Sequence, residues 1–302
     1  MRHPIVSIIT GWGAELGTGH IQRMASLVMF LNRDKGVLAS MAGVKKPEFL
    51  PSLPNKYFQP FHKKEASCVV RDMRDSSITE MQKLKEIGTV IAIDDCGPGS
   101  GTADVCIDLL PNPARHNYNT KSFIYGFNFT ESVRQLKKPR IAKSIDAILY
   151  CGYNPAAETI DFFRSLIPEH TICALLLGNN SRMIADGKET VLNRPYAETI
   201  LSAKLLISHF GIALYEGHIA GCRLACVNPT EYHSRLADIA KNDIGLLNLG
   251  VLKTIDPVHA QEKIVDMIQN PLIDRIHPEE VLEKIEGRLE NFFSDISPHL
   301  GL

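Results

Sequence analysis

Along most of this chain, short apolar runs of strand length alternate with segments whose apolar residues recur at helical spacing. The first instance is the clearest. Ile5-Val6-Ser7-Ile8-Ile9 is a strand-sized apolar run, a glycine-rich turn follows, and Ile21, Met24, Ala25, Val28 and Leu31 then repeat on one helical face. In the first half, strands are expected near 6–9, 37–41, 68–71, 90–93, 105–109 and 123–125, with helices over about 20–33 and 79–87. A second series starts at 147–150 and continues near 172–177, 205–208, 223–227 and 244–247. Strands separated by helices return in the same direction, so the expected class is α/β, a parallel sheet covered by helices on both faces.

The polar stretch Gln135-Leu136-Lys137-Lys138-Pro139-Arg140 interrupts this pattern and is taken as the domain boundary, giving domains 1–140 and 141–302. Asp256-Pro257 reads as an N-cap with proline at the first helical position, opening a helix to about Gln269. A last helix is expected from about Pro278 to Ile296, with Val281, Leu282, Ile285, Leu289, Phe292 and Phe293 as its apolar face, crossing back onto the first domain.

Composition removes several classes of function. Lys plus Arg number 33 against 34 Asp plus Glu, so nothing draws the chain in bulk to nucleic acid or an anionic membrane. No apolar run approaches the roughly 20 residues of a membrane span, and Gly11, Trp12, Gly13 and Glu15 break up any signal-peptide core. Seven cysteines without C-x-x-C pairs or zinc-like spacing point to a reduced, cytoplasmic protein, with no metal site and no cofactor expected.

Two turns at strand ends could carry chemistry. In Leu16-Gly17-Thr18-Gly19-His20 the glycines let backbone N–H groups approach a ligand, and the following helix N-terminus favours negative charge. The spacing Gly11-x-Gly13-x-x-x-Gly17 is one residue too long for the dinucleotide fingerprint, which weakens an oxidoreductase reading, and no P-loop follows. Asp94-Asp95 closes another strand; on an extended chain their side chains face opposite ways, so one of the two is expected to reach a site. Asp72 and Asp75 are assigned to capping the loop before helix 79–87. In the second half, Ser208-His209-Phe210-Gly211 again leaves a strand and opens a helix, which carries Glu216.

Together these motifs resemble a family. Gly17-Thr18-Gly19-His20 with Arg23 is similar to the G-x-G-H-x-x-R segment of the UDP-sugar hydrolases of pseudaminic acid biosynthesis, which share the GT-B architecture with nucleotide-sugar glycosyltransferases. The 91–95 run with Ala103–Asp108, then 123–126, 176–180 and 207–221, match that family's later segments in order. The resemblance implies two Rossmann-like domains facing a central cleft and a nucleotide-sugar partner, most simply a UDP-sugar of carbohydrate biosynthesis. It implies His20 as general base, Asp94 or Asp95 supporting its imidazolium or the sugar, and Gly17, Thr18, Gly19 and Arg23 as substrate contacts. On the nucleotide side it implies Gly178, Asn179, Ser208, His209, Phe210, Gly211 and Ile212 around the diphosphate, Glu216 on the ribose, and Tyr232-His233 where the family carries Asn-Gln. The first loop departs from the family, with Thr10-Gly11-Trp12-Gly13-Ala14-Glu15 in place of an Arg- and Ser-containing segment. Hydrolysis and glycosyl transfer therefore both stay open, as does a non-catalytic nucleotide-sugar-binding protein of the same fold. A homodimer is compatible with either.

Overall fold

The computed structural model describes residues 5–13, 16–61, 66–113 and 118–300, with Asn179 described in its backbone alone. Ala14 and Glu15 of the departing first loop lie outside these residues. The chain divides into two compact units, Met1–Phe127 with Ile285–Leu302, and Asn128–Lys284. The division falls ahead of the Pro-containing stretch 135–140, and nearly all of helix α3 (Phe127–Gln135) goes with the second unit. The reason is apolar. Phe129 on α3 sets its ring edge-on against Tyr196, 6.3 Å between centroids, so the helix is tied to the unit it packs on.

In the first unit, strands β1 (Ile5–Thr10), β2 (Leu38–Ala42), β3 (Phe58–Gln59), β4 (Cys68–Asp72), β5 (Thr89–Ile93) and β6 (Val105–Ile107) form a parallel sheet in the order β3-β2-β1-β4-β5-β6. Every residue of β4 is buried, as expected for a central strand covered on both faces. Helices α1 (Gly19–Asp34) and α2 (Ile78–Lys85) connect strands, and Met81 and Leu84 of α2 pack on Val69, Val90 and Ala92. Strand order reverses between β1 and β4, and in a doubly wound sheet that switch point is where the carboxyl ends leave a crevice.

One expected strand is absent. Residues 123–126 have no ladder partner; Phe123, Ile124 and Tyr125 are instead buried in extended chain, with Arg288 of α9 (Pro278–Ile296) over the Tyr125 ring. Their apolar run reflects burial rather than sheet pairing. The second half of α9 belongs to this unit, where Phe293 meets Phe30 of α1 and Arg288 donates to the Thr120 carbonyl.

The second unit repeats the plan. Strands β8 (Ile145–Tyr150), β9 (Cys173–Leu176), β12 (Ala203–Ser208), β13 (Arg223–Asn228) and β14 (Leu246–Val251) run parallel, and the hairpin β10 (Arg182–Ala185) and β11 (Lys188–Val191) extends the sheet antiparallel, in the order β11-β10-β9-β8-β12-β13-β14. A two-stranded patch joins β7 (Ile141–Ala142) to β15 (Arg275–Ile276). Helices α4 (Ala157–Ser165), α5 (Tyr196–Leu201), α6 (Ile212–Ile219), α7 (Glu231–Ile244) and α8 (Pro257–Gln269) cover the sheet. Asp256 caps α8 by accepting from Val258 N–H, with Pro257 at its first position. Gly245, at φ 65°, closes α7 in the left-handed conformation that glycine adopts without strain. Here the order reverses between β8 and β12, which places Tyr150 and Ser208 at the switch point.

Candidate functional site

In the first unit, β1 ends at Thr10 and β4 at Asp72, so the chain leaves both strands at the switch point. The loop after β1 doubles back on itself: Gly13 and Gly17 exchange backbone hydrogen bonds of 3.1 and 2.7 Å, with Gly17 at φ 68° making the turn into α1. Thr18 precedes α1 without a side-chain cap, leaving the first-turn N–H groups of Gly19, His20 and Ile21 without intrahelical partners. His20 and Arg23, three apart, share one helix face. Both reach Asp72, with His20 Nδ1 2.8 Å from Oδ1 and Arg23 Nε donating to Oδ2 at 2.6 Å. Arg23 also turns a terminal nitrogen to Asp94 Oδ2 at 2.6 Å.

The electrostatics decide the proton positions. Burial alone would push the fully buried Asp72 carboxyl up, but the charges and hydrogen bonds of Arg23 and His20 outweigh it and hold it down at about 2. Burial likewise works against the Arg23 charge, and the two carboxylates more than restore it. Asp94 goes the other way: burial, helped by the nearby Asp72 charge, raises it despite Arg23. An ionised Asp72 can only accept, so His20 Nδ1 carries the hydrogen in either protonation state, and whenever the ring is neutral its lone pair sits on Nε2. The His20 side chain is 17% exposed, while Asp72 beneath it has no exposure. The result is a half-open imidazole seated on a buried, charge-compensated carboxylate.

Several sequence expectations change here. Asp72, assigned to loop capping, is instead the residue under His20; Ser77 caps α2, its hydroxyl accepting from Glu80 N–H. Arg23, expected to touch substrate, is buried between Asp72 and Asp94, so its guanidinium holds carboxylates. Asp94 and Asp95 part company because β5 has already ended. Asp94 sits at φ 50°, and its Oδ1 accepts from Leu109 and Leu110 N–H at 2.6 and 2.9 Å. Asp95 is engaged by Arg71 and by the N–H groups of Ser76 and Gly97, so it does not join His20.

In the second unit, β12 ends at Ser208 and the chain turns through His209, Phe210 and Gly211 into α6. His209 faces inward: Nδ1 donates to the Val227 carbonyl, the ring lies edge-on to Phe163, and burial lowers its proton affinity. Phe210 is buried and its N–H donates to Asn228 Oδ1 at 3.1 Å, which spends that donor inside the fold. Asn228 is in turn held by Asn248, whose amide reaches Ser234 and Asp238 on α7. The donors that remain for an anion are the first-turn N–H groups of Gly211, Ile212 and Ala213, and a Cβ at Gly211 would meet nothing within 4 Å.

Glu216 is 3% exposed, and its Oε2 accepts from the Tyr196 hydroxyl at 2.6 Å. Gly178 opens a short turn, Gly178–Asn180, that Ser181 ties back through the Gly178 carbonyl. Tyr232 is 52% exposed in the first turn of α7, and neighbouring His233 bonds to the capping Thr230. Sequence reasoning missed Asp72, Asn228 and Tyr196. The signal available for Asp72 was its place at the end of a strand-length run, Cys68-Val69-Val70-Arg71. Among the described residues no group of three or more His, Cys, Asp or Glu side chains is placed to hold a metal, and no helix is long and apolar enough to cross a membrane.

No family model matches the chain, and no curated protein does. Solved structures do match in fold. The calicheamicin glycosyltransferase CalG4 superposes with a TM-score of 0.58 at 13% identity, covering 100% of this chain and 99% of that one. Arabidopsis thaliana UGT89C1 complexed with UDP gives 0.59 at 10%, covering 100% of both. MurG of Acinetobacter baumannii gives 0.57 at 9%, covering 98% of this chain and 100% of that one. At such identities the likeness is one of fold: the chain has the two Rossmann-like domains of the GT-B glycosyltransferases.

Proposed function

We propose that this protein transfers a sugar from a nucleotide-sugar, most simply a UDP-sugar, to an acceptor hydroxyl. The observation that carries the reading is the pair His20–Asp72 at the switch point of the first sheet. His20 Nε2 removes the proton of the acceptor hydroxyl as its oxygen attacks the anomeric carbon, and Asp72 stabilises the imidazolium that forms. The bond between the anomeric carbon and the diphosphate oxygen breaks, and UDP leaves with the electron pair. The N–H groups of Gly211, Ile212 and Ala213 neutralise the departing charge at the start of α6. Glu216 accepts from the ribose hydroxyls, and Tyr232 offers an exposed ring to the base. Hydrolysis is the same chemistry with water as the acceptor.

The test measures UDP release from a panel of UDP-sugars, with and without hydroxyl acceptors, for wild type and His20→Ala. Acceptor-dependent release that falls at least about a hundredfold in the variant is expected. Undiminished release in folded His20→Ala would remove the assigned base. Failure of wild type to bind UDP by calorimetry would move the nucleotide assignment elsewhere.

A further inference from the structure

A second concavity lies in the second unit, away from the turn at Ser208. Its volume is about 620 Å³, within the roughly 300–1,000 Å³ of small-molecule sites. It opens at the amino end of β9, where the Asp186-Gly187 turn of the β10–β11 hairpin meets the chain leaving α4. Ser208 ends β12, which runs parallel to β8 and β9, so the cavity lies at the opposite end of the sheet. Leu149 and Cys173 form its buried floor, with the partly buried Ile167 and Ile184 beside them. Burial pushes the Cys173 thiol up to about 12, so the floor carries no charge near neutrality.

The rim is charged. Arg164 Nη2 pairs with Glu189 Oε1 at 2.7 Å, which matches one positive charge with one negative. Glu169 and Asp186 line the same rim, and among the described residues neither carboxylate has a hydrogen-bond or ion-pair partner. Lys188 follows the turn, but side chains alternate along β11, so it faces away from the Glu189 side. His170 completes the rim. Two unmatched carboxylates therefore stand over an uncharged apolar floor, and the low-dielectric walls concentrate their field in the opening.

We infer that this cavity is a ligand site for a small organic cation, an amine whose ammonium group is met by Glu169 and Asp186 and whose apolar body lies on Leu149, Ile167 and Ile184. An anion would face two unpaired carboxylates, and a wholly polar cation would leave the floor uncovered. The site uses no residue of the nucleotide-sugar reading and stands apart from it.

The experiment titrates phenylbutylamine, its neutral isostere phenylbutanol and its anionic counterpart phenylbutyrate into wild type, Glu169→Gln, Asp186→Asn and the double variant. It is run at about pH 8, where an ordinary histidine is neutral and an alkylamine is charged. Both carboxylates are exposed, and asparagine tolerates the left-handed backbone of Asp186 at φ 49°, so the variants keep the fold. Wild type should bind the amine about tenfold or more tightly than the alcohol, the value of a hydrogen bond to a charged group, and phenylbutyrate more weakly than either. Butylamine, which lacks the ring, should bind about tenfold or more weakly than phenylbutylamine, because it leaves the floor uncovered. Each single variant should cut the preference for amine over alcohol about threefold or more, and the double variant should abolish it while alcohol affinity stays within about twofold of wild type. Wild type that binds the amine no better than the alcohol overturns the inference, as does a preference that survives in the double variant. Tighter binding of phenylbutyrate overturns it too, and assigns the cavity to an anion on Arg164. Absence of amine binding at millimolar concentration overturns it outright.

Discussion

Asp72→Asn removes the charge on which the His20 and Arg23 contacts converge. Held at about 2 against its usual 3.8, the Asp72 carboxyl binds protons less tightly folded than unfolded. At roughly 1.4 kcal/mol per tenfold change in proton affinity, that difference contributes on the order of 2 kcal/mol to stability. The sign follows from the lowered folded value. The contribution is fully present above pH 3.8 and is lost as pH falls toward 2. Removing one partner of a buried ion pair costs about 3–5 kcal/mol when nothing replaces it. Here Asp94 remains on Arg23 and is relieved of the Asp72 charge that raised it. A loss of about 3 kcal/mol at pH 7 is therefore expected. Trp12, the chain's single tryptophan, lies in the first unit against Phe49 and reports that unit's unfolding by fluorescence in urea. The gap between wild type and variant should narrow steadily between pH 4 and pH 2. A gap below about 1 kcal/mol at pH 7, or one that does not change with pH, would refute the assignment of Asp72 as a buried, charge-paired anion.

Two further outcomes follow from the same geometry. Gly97→Ala places a Cβ 2.4 Å from the Ser76 carbonyl oxygen and 2.5 Å from its nitrogen, so the loop held by Asp95 must move; a loss of about 2 kcal/mol or more is expected by thermal denaturation, and an unshifted midpoint contradicts the close approach. Burial lowers the proton affinity of Lys143, whose Nζ caps the Ala220 carbonyl at the end of α6. The Lys143 contribution to stability should therefore rise with pH from that lowered folded value up to 10.5, read as a slope in the difference between wild type and Lys143→Met, which should stay within about 1 kcal/mol of each other at pH 7. A difference between the two proteins that does not change with pH assigns the effect to another group.

The alternation of strand-length and helical-period runs was enough to read the α/β class, because strands buried on both faces must be apolar throughout and connecting helices must be amphipathic. Both glycine turns were legible for a similar reason: a chain that leaves a parallel strand and enters a helix within a few residues needs the backbone freedom of Gly17. His20 and the Ser208–Gly211 turn could be singled out on that local basis, whereas Glu216 was named through the family resemblance. Register with a distant segment is another matter. Asp72 lies 52 residues from His20, and only the lateral order β1-β4 brings the two together. Asp94 and Asp95 look equivalent on paper; the left-handed backbone at Asp94 sends one to Arg23 and leaves the other with Arg71. Residues 123–125 read as a strand because burial and sheet pairing leave the same apolar signature, and only the packing of α9 distinguishes them. The sequence by itself thus determined the fold class, the positions of the two strand-to-helix turns and the residues within them, all consequences of local periodicity and backbone freedom. The tertiary structure alone decided which carboxylate sits beneath His20, that Arg23 is buried between two of them, and that Tyr196 holds Glu216, because each depends on which strands and helices become neighbours.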